Sequence, residues 1–211
     1  MFDLDGTLAD TLADIAAAGN FMLSRFNMPP IDLDRYRYLA GQGIQWLVRE
    51  ALGPIHADKT IEGMSILRSY YADHPMDFAR PFEGIPQLLD ELVRLDLKLA
   101  VLSNKPDDRV QDLMRNLFHR WPFREARGQH DGGILKPDPT TALQICSRLK
   151  IEPDRWIYVG DTSVDMQTGR AAGMWTVGVT WGFRDEAELC ANGAQAIIHH
   201  PLELLDVLDR R

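Results

Sequence analysis

Two aspartates one residue apart, followed by a glycine, stand almost at the first residue: Asp3-Leu4-Asp5-Gly6-Thr7-Leu8. In a strand, alternate side chains point the same way, so Asp3 and Asp5 share a face. The glycine lets the backbone turn away from the sheet. Two crowded carboxylates repel, and one is driven to protonate unless a cation sits between them. Such a pair suits Mg²⁺, which prefers hard oxygen ligands and is usually held by one or two carboxylates plus substrate phosphate. Alone, the same string also reads as a surface turn.

Three further polar clusters follow in order, each where a strand gives way to a loop or a loop meets a helix. Lys98 to Leu102 reads as a buried strand and ends on Ser103-Asn104-Lys105-Pro106. Lys136-Pro137-Asp138-Pro139 precedes a helix with Ala142, Ile145, Cys146 and Leu149 at helical spacing. Trp156 to Val159 reads as a strand ending on Gly160-Asp161-Thr162-Ser163-Val164-Asp165. Taken singly, each has a plainer reading: Ser103-Asn104 as turn residues, Lys136 as a solvated lysine, Asp161 as a helix N-cap. In open α/β sheets, however, ligands bind beyond the carboxyl ends of the strands. Four clusters at such positions converge on one pocket.

This ordered set resembles the phosphatase branch of the haloacid dehalogenase superfamily, from Asp3 to about Leu208. The resemblance implies a Mg²⁺-dependent phosphatase. Asp3 would be the nucleophile, forming an aspartyl-phosphate. Asp5 would protonate the leaving group and then activate water. Asp3 and Asp161 would give Mg²⁺ carboxylates and Asp5 its backbone carbonyl. Asp165 would orient metal-bound water, and Ser103 and Asn104 would bond the phosphoryl oxygens. Lys136 would pair with Asp3 and the phosphoryl group.

The elements that must position these residues fall into two patterns. Residues 11–79 show only helical periodicity: Leu12, Ile15, Gly19, Met22, Leu23 and Phe26, then Ile44, Leu47, Val48 and Ala51, then Ile61, Met64 and Tyr71. Thr11 and Asp14 resemble a capping box. Pro29-Pro30, Gly53-Pro54 and His74-Pro75 punctuate the segment. From Pro81, helix and strand patterns alternate. A helix on Ile85, Leu88, Leu89 and Leu92 precedes the strand 98–102, and a helix on Val110, Leu113, Met114 and Leu117 follows it. Strands at 176–180 and 196–198 and a last helix on Leu202, Leu205 and Leu208 complete the series. The expected fold is α/β: a Rossmann-like parallel sheet with helices on both faces, residues 1–10 and 80–211, plus an inserted α-helical cap, residues 11–79. Central strands run about 5–6 residues, whereas only Met1 and Phe2 precede Asp3, so the expectation is that this start lies inside a longer natural strand.

Composition bounds the partners. The 211 residues suffice for a core and an accessory unit. The net charge of −8 and the lack of a basic cluster argue against nucleic acid. No apolar run approaches the roughly 20 residues that span a bilayer, so no membrane is expected. Only Cys146 and Cys190 are present, and no secretory signal opens the chain, which points to the cytoplasm. The expected partner is a small phosphorylated metabolite. Tyr38 to Ile44, with Gln42, followed by Arg49, resembles the cap of phosphoglycolate phosphatases, as do 81–85 and 173–182. The alternatives are a phosphomutase of the β-phosphoglucomutase type and a non-catalytic regulatory or binding protein. Such mutases tend to have Val where Thr7 stands and a hinge histidine that residues 8–28 lack. A dehalogenase would not need Asp5, and Lys59, the cap's only lysine, has no pattern aiming it at the site as a phosphonate hydrolase requires. Intact Asp3, Asp5, Lys136 and Asp161 argue against a non-catalytic role.

Overall fold

The computed structural model describes residues 1–74 and 76–210; Pro75, part of the expected His74-Pro75 break, lies outside the described residues. In chain order the elements are β1 (Ala9–Asp10), α1 (Leu12–Arg25), α2 (Leu33–Leu39), α3 (Ile44–Leu52), a 3₁₀ turn (Pro54–Lys59) and α4 (Thr60–Asp73). Then follow β2 (Arg80–Pro81), α5 (Ile85–Arg94), β3 (Leu99–Pro106), α6 (Asp107–Leu117), β4 (Phe123–Gln129) and α7 (Thr140–Leu149). The chain ends with β5 (Ile157–Gly160), α8 (Ser163–Ala171), β6 (Trp175–Val179), α9 (Glu186–Ala191), β7 (Ala196–Ile198) and α10 (Glu203–Asp209). Strand β4 and helices α2 and α9 carry no pattern that the sequence reading recognised; β4 reads Phe-Arg-Glu-Ala-Arg-Gly-Gln, with too few apolar residues to signal a strand.

The strands β3–β4 and β5–β6–β7 pair in parallel. The first three residues close the gap between the two groups. Phe2 N–H donates to Ala100 O at 2.8 Å, Leu102 N–H to Phe2 O at 2.9 Å, and Asp3 N–H to Val159 O at 2.9 Å. The sheet therefore runs β4, β3, the segment Met1 to Asp3, β5, β6, β7. Period-two alternation sorts its side chains onto two faces. Phe2, Leu99, Val101 and Val159 pack with α5, α6 and α10. Met1, Ala100, Leu102 and Tyr158 pack with Ala142, Ile145 and Cys146 of α7. Full burial of such a side chain contributes about 1.5–3 kcal/mol. The Met1 N-terminal nitrogen donates to Ile157 O at 2.7 Å, and a cavity of about 630 Å³ is lined by Met1, Leu97, Leu99 and Ile157.

Helices α1 to α4 bury a third cluster, which includes Leu12, Ile15, Met22, Val48 and Leu67 and is joined by Phe183. Gly19 in the middle of α1 has a packing reason: a Cβ there would stand 2.4 Å from the Tyr36 hydroxyl. The chain enters and leaves this helical block through β1 and β2, paired antiparallel as Ala9↔Pro81 and Asp10↔Arg80.

Four local expectations are corrected. Thr11 and Asp14 form no capping box: Thr11 Oγ1 donates to Asp5 Oδ1 at 2.6 Å and Asp14 Oδ1 accepts from Phe78 N–H at 3.0 Å. Long-range partners outbid the local cap. In α4 the inward face is Gly63, Leu67 and Tyr71, which leaves Ile61 at 84% exposure. The last helix likewise buries Leu204 and leaves Leu202 exposed. Strand β3 runs past residue 102 to Pro106, so Ser103, Asn104 and Lys105 belong to the strand.

Candidate active site

Strand ends and one loop bring five polar side chains to one edge of the sheet. Asp3 leaves the central strand and Asp161 follows β5. Ser103 and Asn104 lie in the last part of β3. Lys136 comes from the loop before α7. All are buried. Between Asp3 and Asp5 and the helical block, Gly6 turns the chain at φ +83°, and a Cβ there would stand 2.2 Å from Asp161 Oδ2, so only glycine fits.

Carboxylate oxygens of Asp3, Asp161 and Asp165 lie within 4.8 Å of one another. Lys136 Nζ sits between two of them, 2.8 Å from Asp3 Oδ1 and 2.7 Å from Asp165 Oδ1, with its side chain 2% exposed. Asp161 is held at both oxygens: Thr7 Oγ1 donates to Oδ1 at 2.7 Å and Phe183 N–H to Oδ2 at 2.9 Å. Asp165 closes a capping box on α8, its Oδ2 accepting from Thr162 N–H and Oγ1. The N-cap of this helix is thus Thr162, which leaves Asp161 free to face the cluster.

Three carboxylates share one lysine, so charge is unbalanced. Burial and the neighbouring Asp165 push the Asp3 carboxyl up to about 7, against the pull of Lys136. Burial, then Asp165 and Asp3, raise Asp161 well above the usual carboxylate range. For Lys136, burial opposes the charge, but Asp165 and Asp3 outweigh it and hold the ammonium well above its ordinary value. Asp3 Oδ1, near Lys136 in distance, lacks a hydrogen bond of proper direction among the described residues. A buried carboxylate oxygen without a directed donor, beside two more carboxylates, fits a hard divalent cation.

Asp5 lines, together with Asp3, a cavity of about 50 Å³ under the helical block. Its carboxylate accepts from Thr11 and from Lys105 Nζ at 3.0 Å and 3.2 Å. Leu39, Ile44, Leu47 and Leu67 form the roof of this cavity. Asn104, expected on a phosphoryl oxygen, commits its amide to backbone: it donates to Gly41 O and Lys136 O at 3.0 Å each and accepts from Lys136 N–H at 2.8 Å. It locks the Lys136 loop to β3 and to the α2–α3 turn. Ser103 Oγ accepts from Lys105 N–H at 3.3 Å.

The two cap positions fall elsewhere. Gln42 is exposed and does not line the cavity. Arg49 is also exposed; it pairs with Glu50 at 3.3 Å and stacks on Trp46. Helix α3 turns Ile44 and Leu47 inward and Arg49 outward, a choice that its apolar stripe dictates. Sequence reasoning missed Thr7, Lys105 and Phe183. Alternation along β3 places Lys105 two residues from Ser103 on the same side, a signal that was available. Phe183, 22 residues after Asp161, carried none.

Comparison with known proteins bears on this geometry. The sequence pattern of the haloacid dehalogenase-like hydrolases matches residues 1–179. The chain is 34% identical to an N-acetylmuramic acid 6-phosphate phosphatase of Pseudomonas aeruginosa, over 100% of this chain and 94% of that protein. It is 31% identical to phosphoglycolate phosphatase 1 of the same organism, over 100% of this chain and 79% of the relative. Among solved structures, a haloacid dehalogenase-like family hydrolase from Streptococcus pneumoniae superposes with a TM-score of 0.87 at 29% identity, covering 98% of this chain and 96% of that one.

Proposed function

We propose that this chain, which belongs to the haloacid dehalogenase-like hydrolase family, is a Mg²⁺-dependent phosphatase of small phosphomonoesters. The single observation that carries the reading is the buried cluster of Asp3, Lys136, Asp161 and Asp165. Asp3, Asp161 and the backbone carbonyl of Asp5 would hold Mg²⁺. Bound there, the ion supplies positive charge to the phosphoryl oxygens, which an anionic ester otherwise lacks.

The chain's own residues do the rest. An Asp3 oxygen attacks phosphorus, and the new O–P bond forms as the ester P–O bond breaks. Asp5 gives its proton to the departing alkoxide. Water then attacks the aspartyl-phosphate, Asp5 takes its proton, and Asp3 is released with inorganic phosphate. Lys136 offsets charge beside Asp3, and Asp165 fixes Lys136. The Ser103 hydroxyl is the donor for a phosphoryl oxygen, while Asn104 keeps Lys136 in place. The helical block acts as a cap that excludes water from the aspartyl-phosphate.

A small leaving group suits the cavity of about 50 Å³, which favours an ester of phosphoglycolate size. The second reading is a sugar phosphate, supported by the 34% identical relative named for N-acetylmuramic acid 6-phosphate; it requires the cap to swing on β1 and β2. A panel of phosphomonoesters tests both. EDTA should silence turnover and Mg²⁺ restore it, whereas Ca²⁺, with longer bonds and more ligands, should inhibit. Full activity in EDTA would sink the metal assignment.

A further inference from the structure

Lys105 is a buried cation of the site that phosphoryl transfer leaves without a task. Its side chain is 8% exposed, with Nζ 3.0 Å from Asp5 Oδ1 and 5.5 Å from the centre of the Tyr71 ring on α4. Taking an ammonium out of water is costly, and a single carboxylate rarely repays it. The Asp5 carboxylate and the Tyr71 face support the ammonium from one side, and Lys105 lines the cavity on the other.

Geometry says what that donor meets. The phosphoryl group belongs over Asp3, with its ester oxygen towards Asp5, the acid that protonates it. Lys105 is bonded to that same carboxylate, so it stands just beyond the ester oxygen, on the leaving-group side. Apart from Tyr71 the roof there is aliphatic, and it offers no charged partner. Lys136 is engaged by Asp3 and Asp165. Lys105 is the sole cationic side chain lining the cavity among the described residues. An ammonium has three donors, and Asp5 and the Tyr71 face leave room for a further oxygen. A neutral alcohol would leave that donor unmatched; an anionic oxygen a few bonds from the ester oxygen would match it.

We propose that Lys105 receives a carboxylate on the leaving group, so that the preferred substrates are phosphate esters of short hydroxy acids. This rests on the phosphatase reading above and deepens it: Lys105 sets the substrate class, while the Asp3 cluster sets the reaction. Selectivity then resides on the core strand β3, and the helical block supplies an apolar enclosure in place of the expected arginine.

Two esters that differ only in charge test it: phosphoglycolate and the phosphate ester of glycolamide, its neutral isostere, with p-nitrophenyl phosphate as a third substrate. With Mg²⁺, the unaltered protein should prefer phosphoglycolate in kcat/KM by about 10²-fold, the scale of one charged hydrogen bond, and the gap should lie mainly in KM. In Lys105→Met the ratio should fall to within about threefold of unity, whatever happens to the absolute rates, because the lost bond no longer separates the esters. Lys105→Arg should recover part of the preference, and Lys105→Gln is the second neutral variant if the methionine form does not fold. Equal kcat/KM for the two esters in the unaltered protein overturns the assignment, as does a preference that survives both neutral variants. Turnover of none of the three esters instead overturns the phosphatase reading itself.

Discussion

The α/β core below the cavity and the helical block above it meet the same small space with opposite chemistry. Below, all side chains of the cluster are ionisable and buried: Lys136 lies within hydrogen-bond distance of Asp3 and Asp165, and Asp161 has a carboxylate oxygen within 4.8 Å of theirs. Above, Ile15, Leu39, Ile44 and Leu47 are apolar. The floor is held by directed bonds, such as Thr7 and Phe183 on Asp161. The roof is held by packing around its own cluster. Directed bonds fix atoms where bonds must form and break, whereas packing makes a wall that excludes water and tolerates movement. The difference predicts that changes below alter the chemistry, and changes above alter stability and substrate access.

The largest expected effect lies below. Asp3→Asn should abolish turnover, since an amide is a poor nucleophile. Asp5→Asn keeps its backbone carbonyl and should still bind Mg²⁺, yet turn over at least ~10²-fold more slowly, the usual scale for a lost acid/base. Steady-state rates with a Mg²⁺ titration distinguish the two. Near-native activity in Asp3→Asn would erase the contrast between floor and roof.

Phe183 sits where the two regions join: its N–H holds Asp161, while its ring is buried in the helical block's cluster. Phe183→Ala keeps the N–H and removes the ring. Urea unfolding should show a loss of about 3–5 kcal/mol, as for other buried Phe→Ala changes. KM should rise more than kcat falls, because the cap loosens while the donor to Asp161 stays. A fall in kcat with KM unchanged would mean that the ring supports the chemistry directly.

A smaller effect concerns protons and metal. Folding raises Asp3 from 3.8 to about 7 and raises Asp161 as well. A carboxyl with a raised folded pKa contributes stability that is present below its unfolded pKa and is lost as pH rises through the folded value. For Asp3 that window runs from 3.8 to about 7. On the proposed metal reading Mg²⁺ would replace those protons, so its increase in Tm should be larger at about pH 8 than at about pH 5.5. Thermal melts with and without Mg²⁺ across that range test it. A Tm increase independent of pH would contradict the shared use of these carboxylates by protons and metal.

The floor was far more legible in the sequence than the roof, for a physical reason. Asp3, Ser103, Lys136 and Asp161 follow or precede recognisable elements, and a parallel sheet delivers strand ends to one edge whatever the helices do. Strands β3 and β5 were readable as short apolar runs because both faces of the sheet are covered there. Helix faces are set by neighbours. Ile61 fits a helical stripe but is exposed, whereas Leu67 on the same helix is buried. Arg49 has the right charge for an anion and points outward. Thr11 shows the same limit: its local pattern is a cap, and its partner, Asp5, comes from before the turn into β1.

Trapping the covalent intermediate tests the central claim most directly. In Asp5→Asn, p-nitrophenyl phosphate needs no acid for its leaving group, so the first step proceeds while hydrolysis of the aspartyl-phosphate lacks its base. Acid-quenched protein, incubated with this ester and Mg²⁺ and digested for mass spectrometry, should carry one phosphoryl group on the peptide that contains Asp3, and none in the Asp3→Asn, Asp5→Asn double variant. Turnover with no phosphorylated protein at any time point, or a phosphoryl group on another residue, would contradict nucleophilic attack by Asp3.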